Sequence, residues 1–335
     1  MKVVMTLLVR DEEDVLDEHL RYHLEHGVDF VVATDHRSRD GSTEILRRYE
    51  RDGRLRLLSE SADALRQSEW VTRMTRLAAT EHGADWVINS DADEFWWPRE
   101  GSLRQVLEAV PSRFGAIRGL WRHFVPRPEH GEPFHERMIV RRRSSDDFTS
   151  PFHPQVKIVH RGVPDVVVSQ GNHDAFGRGL VLLREWFPIE VLHFPIRSFG
   201  QMERKFLAWR ELESGVPRHT EAGLQAVEAR SGEDVFRRYL VDDEALAAGL
   251  ADGELSLDTR LRDAMRGATA SALRALTPTD DASYAEEVDA LQDTDSAVKL
   301  FERVAALEGR LAAVASSGVV APLGAVRRAV RTARR

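Results

Sequence analysis

Short apolar runs alternate with amphipathic helical patterns along the first hundred residues of the chain. Val3–Val9 and Trp86–Asn89 are continuous apolar runs of the length of a buried strand. Between these runs, Leu16, Leu20 and Leu24 recur every four residues, as they do along one face of a helix. Repeated units of this kind predict an α/β fold with a parallel sheet and right-handed crossovers. The same patterns predict strands at Asp29–Thr34 and Arg54–Leu58 and helices that begin at Asp40 and Ser68.

The pattern changes between Phe114 and Phe199, where short strand-like runs are separated by loops rich in Pro, Gly and His. We expect a mixture of strands and loops that completes the sheet. From about Gln201 the chain is rich in Ala and Leu and is predicted to be helical. The predicted domains are therefore 1–212, a nucleotide-binding and catalytic domain, and 213–335, a helical C-terminal region. The predicted later strands are Gly115–Leu120, Met138–Val140, Val156–Val159, Val166–Ser169, Leu180–Leu183 and Val191–Phe194.

Composition narrows the classes of partner. The chain of 335 residues is 42% hydrophobic and 30% charged, which is typical of a soluble globular protein. Its formal net charge of -8 argues against bulk nucleic-acid binding, and the absence of cysteine excludes disulfides and thiol nucleophiles. No apolar run approaches the roughly 20 residues that span a bilayer, so a cytoplasmic location is expected. Basic Ala321–Arg335 is a candidate for peripheral contact with an anionic membrane, although its small apolar side chains favour a solvated helix.

Polar residues follow three of the predicted strands. Arg10 follows the first strand, Asp35 the second, and Asp91 and Asp93 the fourth. Because ligands bind outside the carboxyl ends of parallel strands, we expect these side chains to share one rim of the sheet. Residues two apart in an extended segment point the same way, so Asp91 and Asp93 can address one ion. Two carboxylates at a strand end suit Mg²⁺ or Mn²⁺, which leave their remaining positions to water and phosphate oxygens.

Four blocks, in order over roughly residues 1–210, resemble the GT-A-fold glycosyltransferases related to family 2. The blocks are Leu8–Glu13 with Glu18–Leu24 and Gly27–Asp29, Asp35–Ser42, Ala84–Phe95, and His193–Ser198 with Lys205-Phe206. The resemblance implies a GT-A-like, Rossmann-like fold: a mostly parallel sheet flanked by helices, here with a helical C-terminal extension. It implies a nucleotide-sugar donor of the UDP- or GDP-sugar class, a hydroxyl acceptor and a divalent metal.

The resemblance also implies roles for individual residues. Asp35 would contact the nucleotide base, although a local turn bond is the simpler role for an aspartate in such a segment. Arg10 and Arg73 would lie near the base or the diphosphate, or are ordinary surface arginines. Asp91 would approach the ribose or the metal, and Asp93 would be a direct metal ligand.

Late in the predicted catalytic domain, His193 is the third candidate metal ligand. The resemblance implies that a late histidine completes the metal site, and imidazole suits Mn²⁺ better than Mg²⁺. A histidine in an apolar strand is more often a hydrogen-bonded core residue. Arg197 and Lys205 favour the functional role, since cations there can neutralise a diphosphate leaving group.

The catalytic base is the least defined part of the site. Inverting transfer requires a carboxylate close to the acceptor hydroxyl, and Asp174 and Glu185 are the candidates, with Glu190 third. The sequence lacks the acidic-pair base motif of better-known family 2 members, so the stereochemical outcome stays open. Two alternative functions also remain. A nucleotidyltransferase would normally carry a Gly-rich basic loop after the first strand, whereas Arg10–Asp14 is acidic; a non-catalytic nucleotide- or carbohydrate-binding protein would not need both Asp91 and Asp93.

Overall fold

The computed structural model describes residues 1–145, 152–210, 232–268, 284–289 and 291–292. The chain divides into two compact units, Met1–Tyr284 and Ala285–Arg335. The tail Ala321–Arg335 and residues 211–231 of the region expected to be helical lie outside the described residues. Among the residues that the structure describes, no helix combines the length and the apolar character that crossing a bilayer requires.

The first part of the chain alternates strands and helices: β1 (Val3–Val9), α1 (Glu13–Glu25), β2 (Phe30–His36), α2 (Ser42–Arg51), β3 (Leu55–Glu60), α3 (Gln67–Thr80) and β4 (Trp86–Asp91). The four strands are parallel and form one half of the main sheet in the order β3-β2-β1-β4. Successive residues of β1 face opposite sides: Val3 and Met5 pack with helices α1 and α2, whereas Val4 packs with helix α3. Both faces of β1 are therefore buried, which explains its continuous apolar run.

The strands of the other half of the sheet are β5 (Glu94–Pro98), β6 (Ala116–Phe124), β7 (Val140–Arg142), β8 (Val156–Arg161), β11 (Ile189–His193) and β12 (Leu255–Leu257). This half is mixed: β8 pairs antiparallel with β4 and with β6, and β6 pairs parallel with β11. Two short strands, β9 (Val167–Val168) and β10 (Ala175–Phe176), form a separate antiparallel pair. The later helices are α4 (Leu103–Ala109), α5 (Phe134–Arg137), α6 (Phe199–Arg210), α7 (Gly232–Tyr239), α8 (Asp243–Asp252) and α9 (Arg260–Met265).

The predicted α/β fold, a mostly parallel sheet flanked by helices, is confirmed, and the antiparallel pairs gather on one side of it. Leu180–Leu183 differs from its prediction, because only Leu182 makes a single bridge, to Ala116. Leu255–Leu257 lies within the region expected to be helical but is a strand, because it pairs with β7 at the edge of the sheet. Strand β5 was not predicted, since its aromatic residues follow the acidic motif without a turn signal.

Candidate active site

Strand β4 brings Asp91 to the carboxyl edge of the parallel half of the sheet. Asn89, two residues before Asp91, is held by two hydrogen bonds, because the hydroxyls of Thr6 on β1 and Thr75 on α3 both donate to its Oδ1, at 2.8 and 2.7 Å. Asp91 pairs in register with Leu8 of β1, and Val9 pairs with Asp35 of β2. The three predicted strand ends therefore meet at one edge.

Strands β5 and β11 bring Asp93 and His193 together across 100 positions of sequence. In their antiparallel ladder, His193 is the direct partner of Glu94, and the Phe194 amide donates to the Asp93 carbonyl at 2.8 Å. Asp93 Oδ1 lies 3.8 Å from His193 Nε2 as a result. Both side chains thus face the same point, beside the turn between β4 and β5.

A buried network of charges surrounds Asp93. Lys205 Nζ lies 3.0 Å from Asp93 Oδ2 and 3.6 Å from Glu12 Oε1. Arg197, fully buried, pairs with Glu12 and Asp14 and lies 3.9 Å from Asp93 Oδ2. We call Glu12, Asp14, Asp93, His193, Arg197 and Lys205 the Asp93 cluster. Burial raises the pKa of Asp93, but the cations Lys205 and Arg197 hold it well below its usual value, so Asp93 is ionised at neutral pH.

The His193 ring is held by stacking rather than by hydrogen bonds. Its centroid lies 4.0 Å from that of Trp121, with 21° between the planes. Nδ1 is buried without a hydrogen-bond partner among the described residues, and Nε2 is too far from Asp93 to form a hydrogen bond. Burial lowers the pKa of His193 well below its usual value despite the nearby Asp93, so the imidazole is neutral at pH 7. A neutral imidazole with a free lone pair is the form that ligates a metal.

A second ionic group lies beside the first. Lys157 Nζ, on β8, lies 2.6 Å from Asp91 Oδ2 and 2.9 Å from Glu94 Oε1, and the lysine side chain is 1% exposed. The Asp91 amide donates to Glu94 Oε2 at 3.0 Å, and Trp121 Nε1 donates to Glu94 Oε1 at 2.9 Å. Burial raises the pKa of Glu94 to about 8, with Lys157 opposing that rise. We call Asp91, Glu94 and Lys157 the Lys157 triad.

A tight turn closes the Asp91 side of the site. Asn172 Nδ2 lies 3.3 Å and Gln67 Nε2 3.5 Å from Asp91 Oδ1. Gln67 Oε1 accepts in turn from Gln170 Nε2 and the Gly171 amide. Asn172 has a φ of 61°, a left-handed conformation that L residues other than Asn and Asp seldom adopt. Backbone strain of this kind is often found at functional sites, where the surroundings hold it in place.

The predicted metal ligands can be tested for fit on these distances. Oxygen and nitrogen ligands lie about 2.0–2.2 Å from Mn²⁺ or Mg²⁺, so a pair of donor atoms 3.8 Å apart, as in Asp93 and His193, can share one ion. Each aspartate has its Oδ2 paired with a lysine, but Asp91 differs because its Oδ1 is also approached by the side-chain amides of Gln67 and Asn172. Within the described parts of the chain, no group of three or more His, Asp or Glu side chains is placed to hold a metal. The residues therefore fit an ion with two protein ligands and the rest supplied by substrate and water.

The residues predicted to contact the nucleotide lie at the same edge of the sheet, and each of them contacts other residues of the protein. Asp35 accepts from the Ser38 amide at 3.1 Å and from the Thr43 hydroxyl at 2.6 Å, which are the turn bonds that its sequence also allowed. Arg10 follows β1 with its side chain mostly buried and its Nε 3.8 Å from Asp11. Arg73 pairs with Glu60 at 2.6 Å and, with Arg66 and Arg76, lines a cavity of about 660 Å³ along α3.

The candidate bases are in three different settings. Asp174 is 40% exposed, two residues beyond Asn172, and 3.6 Å from Arg118. Glu185 is exposed in the segment before β11, whose far end carries His193, so the chain does not bring it to the Asp93 cluster. Glu190 is buried in contact with Arg122 and Arg260, and no longer fits as a base. Burial raises the pKa of Glu190, but Arg260, Arg122 and Arg141 hold it well below its usual value. We call Glu190, Arg122, Asp258 and Arg260 the Glu190 cluster.

Sequence reasoning missed Lys157, Glu12 and Asp14 as parts of the site. Lysine is almost never fully buried unless it is paired, so a lysine inside the apolar strand Val156–Arg161 was a usable signal. Glu12 and Asp14 carried no such signal, because acidic residues at the N-cap and in the first turn of a helix normally stabilise the helix dipole.

No protein-family model and no curated protein matches this chain. Three similar solved structures are as follows. TarS of S. aureus is 13% identical with a TM-score of 0.34, and the match covers 69% of this chain but only 43% of TarS. The mannosyltransferase PcManGT from Pyrobaculum calidifontis, in complex with GDP-Man and Mn²⁺, is 19% identical with a TM-score of 0.34 over 86% of this chain and 85% of that one. Glucosyl-3-phosphoglycerate synthase from Mycobacterium tuberculosis, in complex with Mn²⁺ and UDP, is 17% identical with a TM-score of 0.26 over 36% and 44%.

At these identities and TM-scores, the likenesses carry no argument about what this chain binds or does. The chemistry of the site has to be argued from its own residues.

Proposed function

We propose that this protein is a glycosyltransferase that moves a sugar from a nucleoside-diphosphate donor, of the UDP- or GDP-sugar class, to a hydroxyl acceptor. We propose further that Mn²⁺ or Mg²⁺ assists the transfer, held by Asp93 and His193. When bound, such an ion stabilises the negative charge of the departing diphosphate as a Lewis acid.

The observation that carries this proposal is the pairing of Asp93 with a neutral, hydrogen-bond-free His193 at the carboxyl edge of a parallel sheet. Open α/β sheets bind their ligands at that edge. A core histidine would instead be expected to pair with backbone carbonyls, as His23 does with the His19 carbonyl at 2.8 Å. The ordered motif blocks from Leu8 to Phe206 support the same assignment.

Lys205 is the residue proposed to meet the diphosphate. Its side chain is 27% exposed, whereas Arg197 is completely buried. The ammonium already lies on the Asp93 carboxylate, so it is held where charge develops on the leaving group without needing to reorganise. Arg197 is proposed as a positioning residue, because it fixes Glu12 and Asp14 around Asp93.

Asp174 is the proposed general base. It is the candidate carboxylate that combines solvent access with a place in the chain next to the turn that contacts Asp91. A base must come within about 3 Å of the acceptor hydroxyl, directly or through one water.

Calorimetry with UDP and GDP, each with Mn²⁺ and with EDTA, tests the proposal on the full chain. We expect a nucleoside diphosphate to bind at least about tenfold more tightly with the ion than with EDTA, because the ion joins the phosphates to Asp93 and His193. Absence of binding by every nucleotide would refute the proposed function.

Product analysis then separates it from nucleotidyl transfer. A glycosyltransferase releases the nucleoside diphosphate from a nucleotide sugar, whereas a nucleotidyltransferase consumes or releases pyrophosphate. Detection of pyrophosphate as the product would replace the proposed reaction by the alternative one.

A further inference from the structure

Lys157 occupies the space between two carboxylates that would otherwise suit a cation. Asp91 Oδ2 and Glu94 Oε1 lie 2.6 and 2.9 Å from its ammonium nitrogen, and Trp121 covers it with the ring centroid 5.0 Å away. Glu94 is fully buried, and its two oxygens also accept the Asp91 amide and the indole N–H. The carboxylates are thus fixed in orientation around a charge that the chain itself supplies.

We propose that Lys157 is a built-in cation that takes the place of a metal ion at Asp91 and Glu94, so that the site accepts one divalent ion, on Asp93 and His193 alone. This inference rests on the metal assignment of the proposed function. It removes Asp91 from the set of ligands that the sequence suggested. Lys157 is then a positioning residue, which acts through Asp91 and Glu94 rather than on the substrate.

The position of Lys157 supports a single ion. Its ammonium contacts one oxygen of Asp91 and one of Glu94, and the lysine side chain is 1% exposed, so it occupies the position that a second cation would take. Replacement of Lys157 by a neutral residue would remove the cation that both carboxylates contact. Such an arrangement attracts another cation, because a buried carboxylate that has lost its partner is costly.

Geometry separates the roles of the two aspartates. The Oδ2 atom of each aspartate contacts a lysine ammonium, that of Lys205 for Asp93 and that of Lys157 for Asp91. Asp93 Oδ1 lies 3.8 Å from His193 Nε2, a separation that an ion can bridge, whereas Asp91 Oδ1 is approached by two side-chain amide groups. Asp91 therefore presents at most one edge to a ligand, and that edge suits a hydroxyl better than a metal.

The test is a Mn²⁺ titration of the metal-free full chain without nucleotide, followed through the paramagnetic resonance signal of free Mn²⁺. Six proteins are compared: wild type, Asp93→Asn, Asp91→Asn, Lys157→Met, Lys157→Arg and the double variant Lys157→Met/Asp91→Asn. We expect one Mn²⁺ in the wild type, at least about a tenfold loss of affinity in Asp93→Asn, and a change within about threefold in Asp91→Asn. Lys157→Met should bind a second Mn²⁺, which the double variant Lys157→Met/Asp91→Asn should lose, and Lys157→Arg should bind one.

The inference is overturned if Asp91→Asn weakens Mn²⁺ binding as much as Asp93→Asn does, or if the wild type binds two ions or none. It is also overturned if Lys157→Met is folded by circular dichroism and still binds a single ion. Should that variant fail to fold, the comparison of the two aspartate variants decides alone. Because no nucleotide is present, these outcomes are independent of whether the chain binds a nucleoside diphosphate.

Discussion

Two buried charged clusters occupy opposite ends of the same strand, β11, and they are built differently. At its carboxyl end, His193 belongs to the Asp93 cluster, in which His193, Lys205 and Arg197 surround the Asp93 carboxylate. Near the other end, Glu190 belongs to the Glu190 cluster, in which Arg122 and Arg260 each donate to one of its carboxylate oxygens. Arg260 also donates to both carboxylate oxygens of Asp258, at 2.9 and 2.6 Å.

The difference separates charge that stabilises the fold from charge that is available to a ligand. Guanidinium groups match carboxylates in shape and satisfy them with several directed hydrogen bonds, so the Glu190 cluster is closed. The Asp93 cluster keeps an imidazole without hydrogen bonds and a partly exposed ammonium. A site that must bind and release a charged ligand requires such incomplete pairing, which a purely structural cluster would avoid.

The largest effect that would sharpen this contrast is on stability. Glu190→Ala should lower the free energy of unfolding by about 3–5 kcal/mol, because it removes the carboxylate that the buried Arg122 and Arg260 both contact. Chemical denaturation measures the loss. Exposed Glu185, just before the same strand, is the matched control, and Glu185→Ala should change stability by less than about 0.5 kcal/mol. Equal effects of the two substitutions would break the contrast.

Asp93→Asn should show the opposite balance between activity and stability. Transfer should fall by at least about a hundredfold, since an electrostatic contact to the reacting group is removed. The free energy of unfolding should fall less than in Glu190→Ala, because Arg197 remains paired with Glu12 and Asp14, and Lys205 remains paired with Glu12. Steady-state kinetics and thermal melting measure the two quantities. A variant that retains normal transfer would remove Asp93 from the site.

His193→Phe isolates the ring nitrogens from the stacking on Trp121. The phenyl ring can keep the stack, so the melting temperature should stay within about 2 °C of the wild type, while Mn²⁺ affinity should fall about tenfold or more. His193→Ala, which loses both the stack and the nitrogens, serves as the comparison. If His193→Phe binds Mn²⁺ normally, the histidine has only a packing role.

Acid provides a test in which both clusters should behave alike. Glu190 and Asp93 have pKa values below their usual 4.5 and 3.8, so each stabilises the fold fully above its usual pKa and loses that contribution as pH falls towards the lowered value. Each should contribute a slope of about 1.4 kcal/mol per pH unit between about pH 4 and pH 2.5. Denaturation of Glu190→Gln across this range should show a shallower loss than the wild type. An unchanged slope would mean that the carboxylate is not ionised in the folded protein.

The parallel half of the fold could be predicted from sequence because its signals are local. The runs at Val3–Val9 and Trp86–Asn89 are buried on both faces, and a leucine spacing of four fits α1. Strand β12 could not be predicted in this way. Leu255–Leu257 is only three residues long, and its strand conformation depends on pairing with β7, more than 110 positions earlier in the chain.

The candidate site was predictable where a motif marks it and unpredictable where pairing across the fold decides. Asp91 and Asp93 were found from their spacing at a strand end. The engagement of Asp91 by Lys157 depends on the antiparallel placement of β8 beside β4, which no local pattern encodes. Glu190 is a second example: its sequence position allowed a catalytic base, but its pairing with Arg122 and Arg260 depends on contacts across the fold.

The position of β11 between β5 and β6 also bears on how the protein folds. The ladders join residues 189–193 to 94–98 and to 119–123, so roughly 70 to 100 residues must be looped out before they can form. Closing loops of that length carries an entropic cost that is recovered only when the contacts are made, and topologies with many such contacts fold slowly. A nascent chain that has just emerged past Asp93 would possess the acidic motif without its histidine. On this topology, the proposed ion site of Asp93 and His193 would form late in folding, together with the completed sheet.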